Sequence, residues 1–391
     1  MVRRLFLLVA AVVLVDTAFY AAISPLLPHY ESELGLSKTA AGVLTASYAA
    51  GVLAGSIPAG WLAARAGVKP TLLLGLGLMS GTSVLFGLAN SVVVLDSARF
   101  VQGLGGACSW AGGMAWLIGA APAERRGELI GSAIAAAIVG MMLGPVLGGA
   151  ATVVGPEAVF GAVALVGLGL ASWAWTTPGV PPGEALGLGE AVRALRQRSV
   201  ATGFWLFLLP ALFAGVLNVL VPLRLDQLGA SGVAVGAAFL VAAVAEALVS
   251  PLAGRLSDRR GRLVPIRLGL AAAVVMAIVL PLPGTALVSA AALVAAVIAL
   301  AMFWAPAMAL ISDSSERVGL DQGLAFAISN LAWGGGIVIG SSAGGALAEA
   351  TADALPYATL ALLCGLTLVL VAQLRVAARP QTPQGSTPSL R

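Results

Sequence analysis

Gly254-Arg-Leu-Ser-Asp258-Arg-Arg-Gly261-Arg262 sets four arginines and an aspartate between two apolar runs, 233–254 and 264–281. Each run is long enough to cross a bilayer as a helix, and charges this dense cannot lie in hydrocarbon, so the stretch reads as a turn at a membrane surface. A weaker copy stands 194 positions earlier: Gly60-Trp-Leu-Ala-Ala64-Arg65-Ala-Gly67-Val-Lys69, between the runs 40–63 and 70–89. A surface turn repeated between paired apolar runs points to a helical membrane chain that contains an internal duplication.

Outward from these loops the chain breaks, at charged or Pro/Gly-rich points, into twelve runs: 5–27, 40–63, 70–89, 92–119, 130–153, 157–176, 200–223, 233–254, 264–281, 285–311, 322–348 and 355–375. With 59% hydrophobic and 10% charged residues, no water-facing globular surface can be assembled. Helices are the economical choice, because an open strand in lipid leaves backbone groups unpaired. The expectation is an all-α membrane protein of twelve transmembrane helices in two pseudo-symmetric six-helix halves, 1–176 and 200–375. A cytoplasmic linker over 177–199 joins them, and a disordered tail follows over 376–391. The first run follows Arg3 and Arg4 as a signal peptide would, yet it contains Asp16 and ends in Pro25 and Pro28 rather than a cleavage site; it reads as a retained helix.

Alternate loops should carry the basic residues on the cytoplasmic side. With the N-terminus inside, 18 of the 21 Lys and Arg fall on that side; the outer loops hold Lys38 and Arg224, and Arg99 lies within the fourth run. Both termini are then cytoplasmic and the chain is a multi-pass protein of the plasma membrane. The net charge of +4 is scattered in these short clusters, which argues against nucleic acid as a partner. Cys108 and Cys364 sit in apolar runs as packed small residues, and the lone His29 is an interfacial histidine with no ligand set nearby, so no metal or cofactor is expected.

The halves agree further at the same shift, which pairs Pro28 with Pro222, Leu34-Gly35 with Leu228-Gly229, Ser56 with Ser250 and Trp110 with Trp304. At a shift of 192, Glu124-Arg125, Gly127 and Gly131 pair with Glu316-Arg317, Gly319 and Gly323.

These residues resemble the major facilitator superfamily, and within it the proton-coupled drug and vesicular amine exporters. The Gly254–Arg262 loop is similar to the family's Gly-x-Leu-x-Asp-Arg-x-Gly-Arg signature, which implies a gating role for Gly254, Asp258, Arg259, Gly261 and Arg262, and for Gly60, Arg65 and Gly67 in the first copy. Ala64 stands where the family usually has aspartate, which leaves the second copy as the expected inner lock. Gly254 and Gly261 would permit a tight turn and close helix approach. Arg99-Phe-Val-Gln102-Gly103 resembles the Arg-x-x-Gln-Gly signature. An arginine in mid-membrane needs a partner or a wet cavity; the alternatives are snorkelling or pairing with Asp96. Gly140-Met-Met-Leu-Gly144-Pro145-Val-Leu-Gly148-Gly149 resembles the family's antiporter signature, which implies export; its own physics is close helix packing at the small residues and a weakened backbone at Pro145.

Asp16 falls about 16 Å along the first helix and Glu246 about 12 Å from the inner end of the eighth. Desolvation favours a carboxyl group's neutral form, a property suited to taking up and releasing protons. These two acids and Arg99 form the expected coupling or substrate set, with Tyr20, Trp110, Asn218, Trp304, Asn330 and Trp333 lining a cavity and Trp110 facing Trp304 across the halves. Each acid could instead only pair with a neighbouring polar group, and each tryptophan could serve packing alone.

The function implied is alternating-access export of a small cationic or amphipathic compound in exchange for protons, by a monomer. Uptake or uniport of a neutral metabolite on the same fold is the alternative. An intramembrane enzyme or receptor ranks last, since no His pair, nucleophile signature or nucleotide loop is present.

Overall fold

The computed structural model describes residues 2–121, 126–179, 195–317 and 322–373, and these are helical almost throughout. Most of the linker expected over 177–199, the tail over 376–391, and Glu124, Arg125 and Gly319 lie outside the described residues.

The first crossing is made of α1 (Val2–Ala21) and α2 (Leu27–Leu34) with a short 3-10 turn, Ser24–Leu26, between them. Pro25 and Pro28 have no N–H to give to the carbonyls of Ala21 and Ser24, and the helix breaks there. α3 (Lys38–Arg65), α4 (Val68–Gly87), α5 (Val92–Ala120), α6 (Arg126–Val154) and α7 (Pro156–Thr176) complete the first half. α8 (Arg198–Gln227), α9 (Gly232–Arg260), α10 (Leu263–Val279), α11 (Ala286–Arg317), α12 (Gln322–Ala350) and α13 (Ala354–Gln373) make the second.

Twelve crossings are therefore present among the described residues, ten of them long and apolar enough to span a membrane on length and composition alone. The other two are α10, an apolar helix of 17 residues, and α5, which is long but carries Asp96, Arg99, Gln102 and many small residues. Several helices run past the expected boundaries, α11 to Arg317 rather than 311, because backbone hydrogen bonding continues after the apolar window ends.

The duplication is legible in the corners. Gly35 and Gly229 both take positive φ, +64° and +84°. Two residues later Ser37 and Ser231 cap α3 and α9 by accepting from Ala40 and Ala234 N–H. Gly67 and Gly261 repeat the device at φ +99° and +91° after these helices end. Packing repeats as well: α1 on α6, α3 on α5 and α4 on α7 have counterparts in α8 on α12, α9 on α11 and α10 on α13.

The halves meet along two related seams, α3 against α12 and α6 against α9. At the end near Lys38 and Ser231, away from the arginine-rich loops, both seams are tight. Lys38 forms an ion pair with Asp353, and Thr39 N–H donates to Glu349 at 2.7 Å. Gly149 faces the Cα atoms of Val233 and Gly236 and the Gly232 carbonyl, with the Pro145 carbonyl against Gly236. This conformation is thus sealed between the halves on its sparsely charged face.

Candidate functional site

Where α1 stops, its last carbonyls need donors, and Arg99 of α5 supplies them. The guanidinium donates to Phe19 O at 3.3 Å, Tyr20 O at 3.0 Å and Gln102 Oε1 at 2.8 Å. A cation at a helix C-terminus is favoured by the helix dipole, and the same group lies 5.2–5.9 Å from the rings of Phe19, Tyr20 and Tyr48. Arg99 is wholly buried. The alternatives left open for it are corrected: its described bonds run inward to α1 and Gln102, since the carbonyls at the helix break offer partners that lipid does not.

Asp16, also wholly buried, lies one turn before that break. Its Oδ2 accepts from Tyr48 Oη at 2.9 Å and from Trp110 Nε1 at 3.1 Å. Gly106 makes room for this cluster: a Cβ there would stand 2.7 Å from Tyr48 Oη and 3.2–3.3 Å from both Asp16 oxygens.

Between the halves lies a cavity of about 230 Å³. Tyr20, Asn218, Trp333, Trp304 and Glu246 line it, and Glu246 is the only charged residue that does so among those described. Trp304 shares this lining with Glu246 and stands edge-on to Phe207 at 5.2 Å, while Trp333 stands edge-on to Tyr20 at 5.4 Å. Neither Asp16, Trp110 nor Asn330 belongs to this lining, and Asn330 is half-buried on α12. The expectation that Trp110 and Trp304 face one another is corrected: the structure sets each with an acid of its own half, and the Trp110 indole N–H finds in Asp16 the acceptor it needs.

The paired loops hold together within each half. Arg262 bonds Asp258 at 2.5 Å and Asp313 at 3.1 Å, and so ties α9 to the end of α11. Arg65 lies over Trp61 at 4.5 Å, Arg259 is exposed, and Gly67 and Gly261 make the turns. Close approach at Gly254 and Gly60 is not found: a Cβ at Gly254 would meet Ala305 at an ordinary 3.9 Å, and one at Gly60 would meet nothing within 4 Å.

Close approach occurs on α6 instead. Gly140, Gly144 and Gly148 present one face to α1, against Thr17 and Leu14, Ala18 and Ala21, and Ala22 in turn, while Gly149 and Pro145 meet α9 of the other half. The second half repeats the first of these packings, with Gly336, Gly340 and Gly344 of α12 against α8.

Sequence comparison agrees with this architecture. The profile described as Major Facilitator Superfamily matches residues 8–320 and 204–389. The chain belongs to the Major Facilitator Superfamily. It is 34% identical over 134 residues to the vesicular acetylcholine transporter of Homo sapiens, an alignment covering 34% of this chain and 25% of that protein. It is 27% identical over 127 residues to the quinolone resistance protein NorA of Staphylococcus aureus (strain MRSA252), covering 32% of this chain and 33% of that protein. The chain thus spans only a quarter to a third of the length of these relatives. Among solved structures, a bacterial homologue of the human lysosomal transporter Spinster matches with a TM-score of 0.79 at 16% identity, over 97% of this chain and 98% of that one. A D-xylose-proton symporter matches with 0.75 at 18%, over 94% and 96%. At such identities the likeness is one of fold. Membership of this superfamily agrees with the multi-pass arrangement of apolar helices described above.

For this superfamily member, sequence reasoning missed Tyr48, Asp313, Lys38 and Asp353 as site or seam residues. Tyr48 sits in mid-helix one turn after Thr45 and offers no period or motif; the available signal was a phenol placed at bilayer depth. Lys38 was visible only as one of two basic residues on the sparse face.

Proposed function

We propose that this chain exports a small organic cation with an apolar body in exchange for protons. One observation carries the reading: a single carboxyl, Glu246, faces a cavity shared by both halves and otherwise lined mostly by apolar and aromatic groups, with Asn218, Ser24 and Thr45 as its uncharged polar members. A cation pairs with the acid and lays its apolar part on Trp304, Trp333 and Phe239. A proton and the cation compete for Glu246, so protonation from outside releases the cargo and deprotonation inside resets the carrier. The alignment of about a third of the chain with an acetylcholine transporter and with a quinolone resistance protein supports export of this class. In the proposed orientation the arginine-rich face and both termini are cytoplasmic, the membrane is the plasma membrane, and the working unit is a monomer. The present conformation then has its outer face shut.

The test is substrate-driven proton movement in proteoliposomes under an imposed pH gradient, with lipophilic cations and amines as candidates. Dissipation of the gradient in wild type and its loss in Glu246→Gln is the expected result. Flux that ignores both the gradient and the acids replaces antiport with uniport.

A further inference from the structure

The two deep acids are placed in different surroundings, and the difference bears on how the proposed exchange is organised; the inference below rests on that reading. Glu246 is half-buried and open to the cavity. Asp16 is fully buried and does not line it. Between them stand two phenol rings: Tyr20 lines the cavity, Tyr48 stacks on Tyr20 at 4.8 Å, and Tyr48 Oη reaches Asp16.

The bonds to Asp16 are lopsided. Both donors, Tyr48 Oη and Trp110 Nε1, converge on Oδ2, while Oδ1 is buried with no hydrogen-bond partner among the described residues. An ionised carboxylate has two equivalent acceptor oxygens, and burying one of them bare leaves charge without compensation. A neutral carboxyl group accepts at its carbonyl oxygen, and leaving its uncharged hydroxyl without a partner costs far less than leaving half of a buried carboxylate bare. The observed pattern is that of the neutral form, with Oδ2 as carbonyl and Oδ1 carrying the proton. The charged group nearest this acid is Arg99 of α5, yet the guanidinium spends its described bonds on Phe19 O, Tyr20 O and Gln102. Tyr48 from α3 is the other titratable neighbour, and α6, packed on the far side of α1, presents glycines.

We propose that Asp16 is a proton store separate from the substrate site, held neutral in this conformation and shut off from the cavity by Tyr48, which acts as its positioning residue. Cation and proton then compete at Glu246 alone, while Asp16 keeps its proton until the halves move and the Tyr20–Tyr48 stack parts. A carrier so built exchanges protons at two points that exposure distinguishes.

Infrared spectroscopy of the purified full-length protein reads this directly, because a protonated carboxyl group has its own carbonyl band and a carbonyl that loses a hydrogen bond absorbs at higher frequency. Near neutral pH, Asp16→Asn is expected to remove a protonated-carboxyl band that Glu246→Gln leaves in place. Tyr48→Phe, which keeps the ring stack and removes only the hydroxyl, is expected to move that band upward. Wild-type protein labelled with carboxyl-¹³C aspartate shows by isotope shift, without a substitution, that an aspartate carries the band, and Asp96→Asn, expected to leave the band in place, separates Asp16 from the other aspartate among those described with a buried, unpartnered oxygen. Adding tetraphenylphosphonium is expected to leave the Asp16 band unchanged. The proposal is overturned if Asp16→Asn removes no protonated-carboxyl band, if the isotope shifts none, if Asp96→Asn removes the band instead, if Tyr48→Phe leaves it in place, or if tetraphenylphosphonium abolishes it. An Asp16 band that behaves as expected in a protein that transports no cation would sink the export reading and leave the proton store standing.

Discussion

Trp110 and Trp304 stand at the same position of the two halves, and each keeps company with a deep acid: Trp110 donates to Asp16 at 3.1 Å, and Trp304 lines the cavity with Glu246. The acids themselves come from unrelated places, one from α1 and the other from α9. Equivalent indoles therefore accompany inequivalent acids, and their removal should have different effects.

Trp304→Phe is expected to weaken binding of tetraphenylphosphonium by up to about tenfold, since a desolvated cation–π contact is worth roughly 0.5–2 kcal/mol and the indole is the best ring for it. Trp110→Phe should leave that affinity within about twofold. Equilibrium binding to detergent-purified protein measures both, and equal losses would contradict the separation of the two acids.

The glycines of α6 separate fold from motion. Gly140→Ala forces a methyl group against Thr17 and the Leu14 carbonyl inside one half, so it should lower thermal stability in every conformation, by about 1–3 kcal/mol. Gly236→Ala forces its methyl against the Pro145 carbonyl of the opposite half. The strain exists only while the sparse face is shut, and the expected result is a carrier biased toward opening there. Thiol labelling of a single cysteine at Asn218, in a Cys108→Ala, Cys364→Ala background, should then rise about tenfold for an impermeant reagent applied to that face.

Across the other seam, the half-exposed pair of Lys38 and Asp353 carries at most about 1 kcal/mol. Lys38→Asp should raise the same labelling up to about fivefold, and the exchange Lys38→Asp with Asp353→Lys should reverse it. Added salt should shrink the effect of the single change, because screening weakens partly exposed pairs.

Arg262 bridges two carboxylates from different helices, a geometry that suits a planar fork better than an ammonium. Arg262→Lys is therefore expected to recover less than half of the transport lost in Arg262→Ala. Full recovery would mean that charge at this corner suffices and the tie between α9 and α11 does not matter.

Architecture was easier to read from the chain than the site was. Twelve apolar runs, alternating basic loops and a repeated Gly-rich corner carry the fold, because lipid solvent and bilayer thickness leave few other solutions. Asp16, Arg99 and Glu246 could be singled out because charge in hydrocarbon is costly wherever it faces. Their partners could not. The bond from Tyr48 depends on how α3 is turned against α1, and the hold of Arg99 on Phe19 and Tyr20 depends on a helix break whose carbonyls point toward α5. The pairing of Trp110 with Trp304 was visible as a repeat, yet repetition in sequence says nothing of what each side chain meets. Gly254 shows the reverse error, since a glycine at a motif position is in ordinary contact while Gly140 and Gly148 take up the tight packing.

The corners at Gly35 and Gly229, with their serine caps, have a consequence for how such a chain can change. Bends and caps agree between the copies, whereas the position equivalent to Asp16 is Pro210 and that equivalent to Glu246 is Val52. The two halves are interchangeable as levers and not as reagents. Cargo preference can therefore drift by substitution in either half's lining, with the hinges that both copies share left untouched.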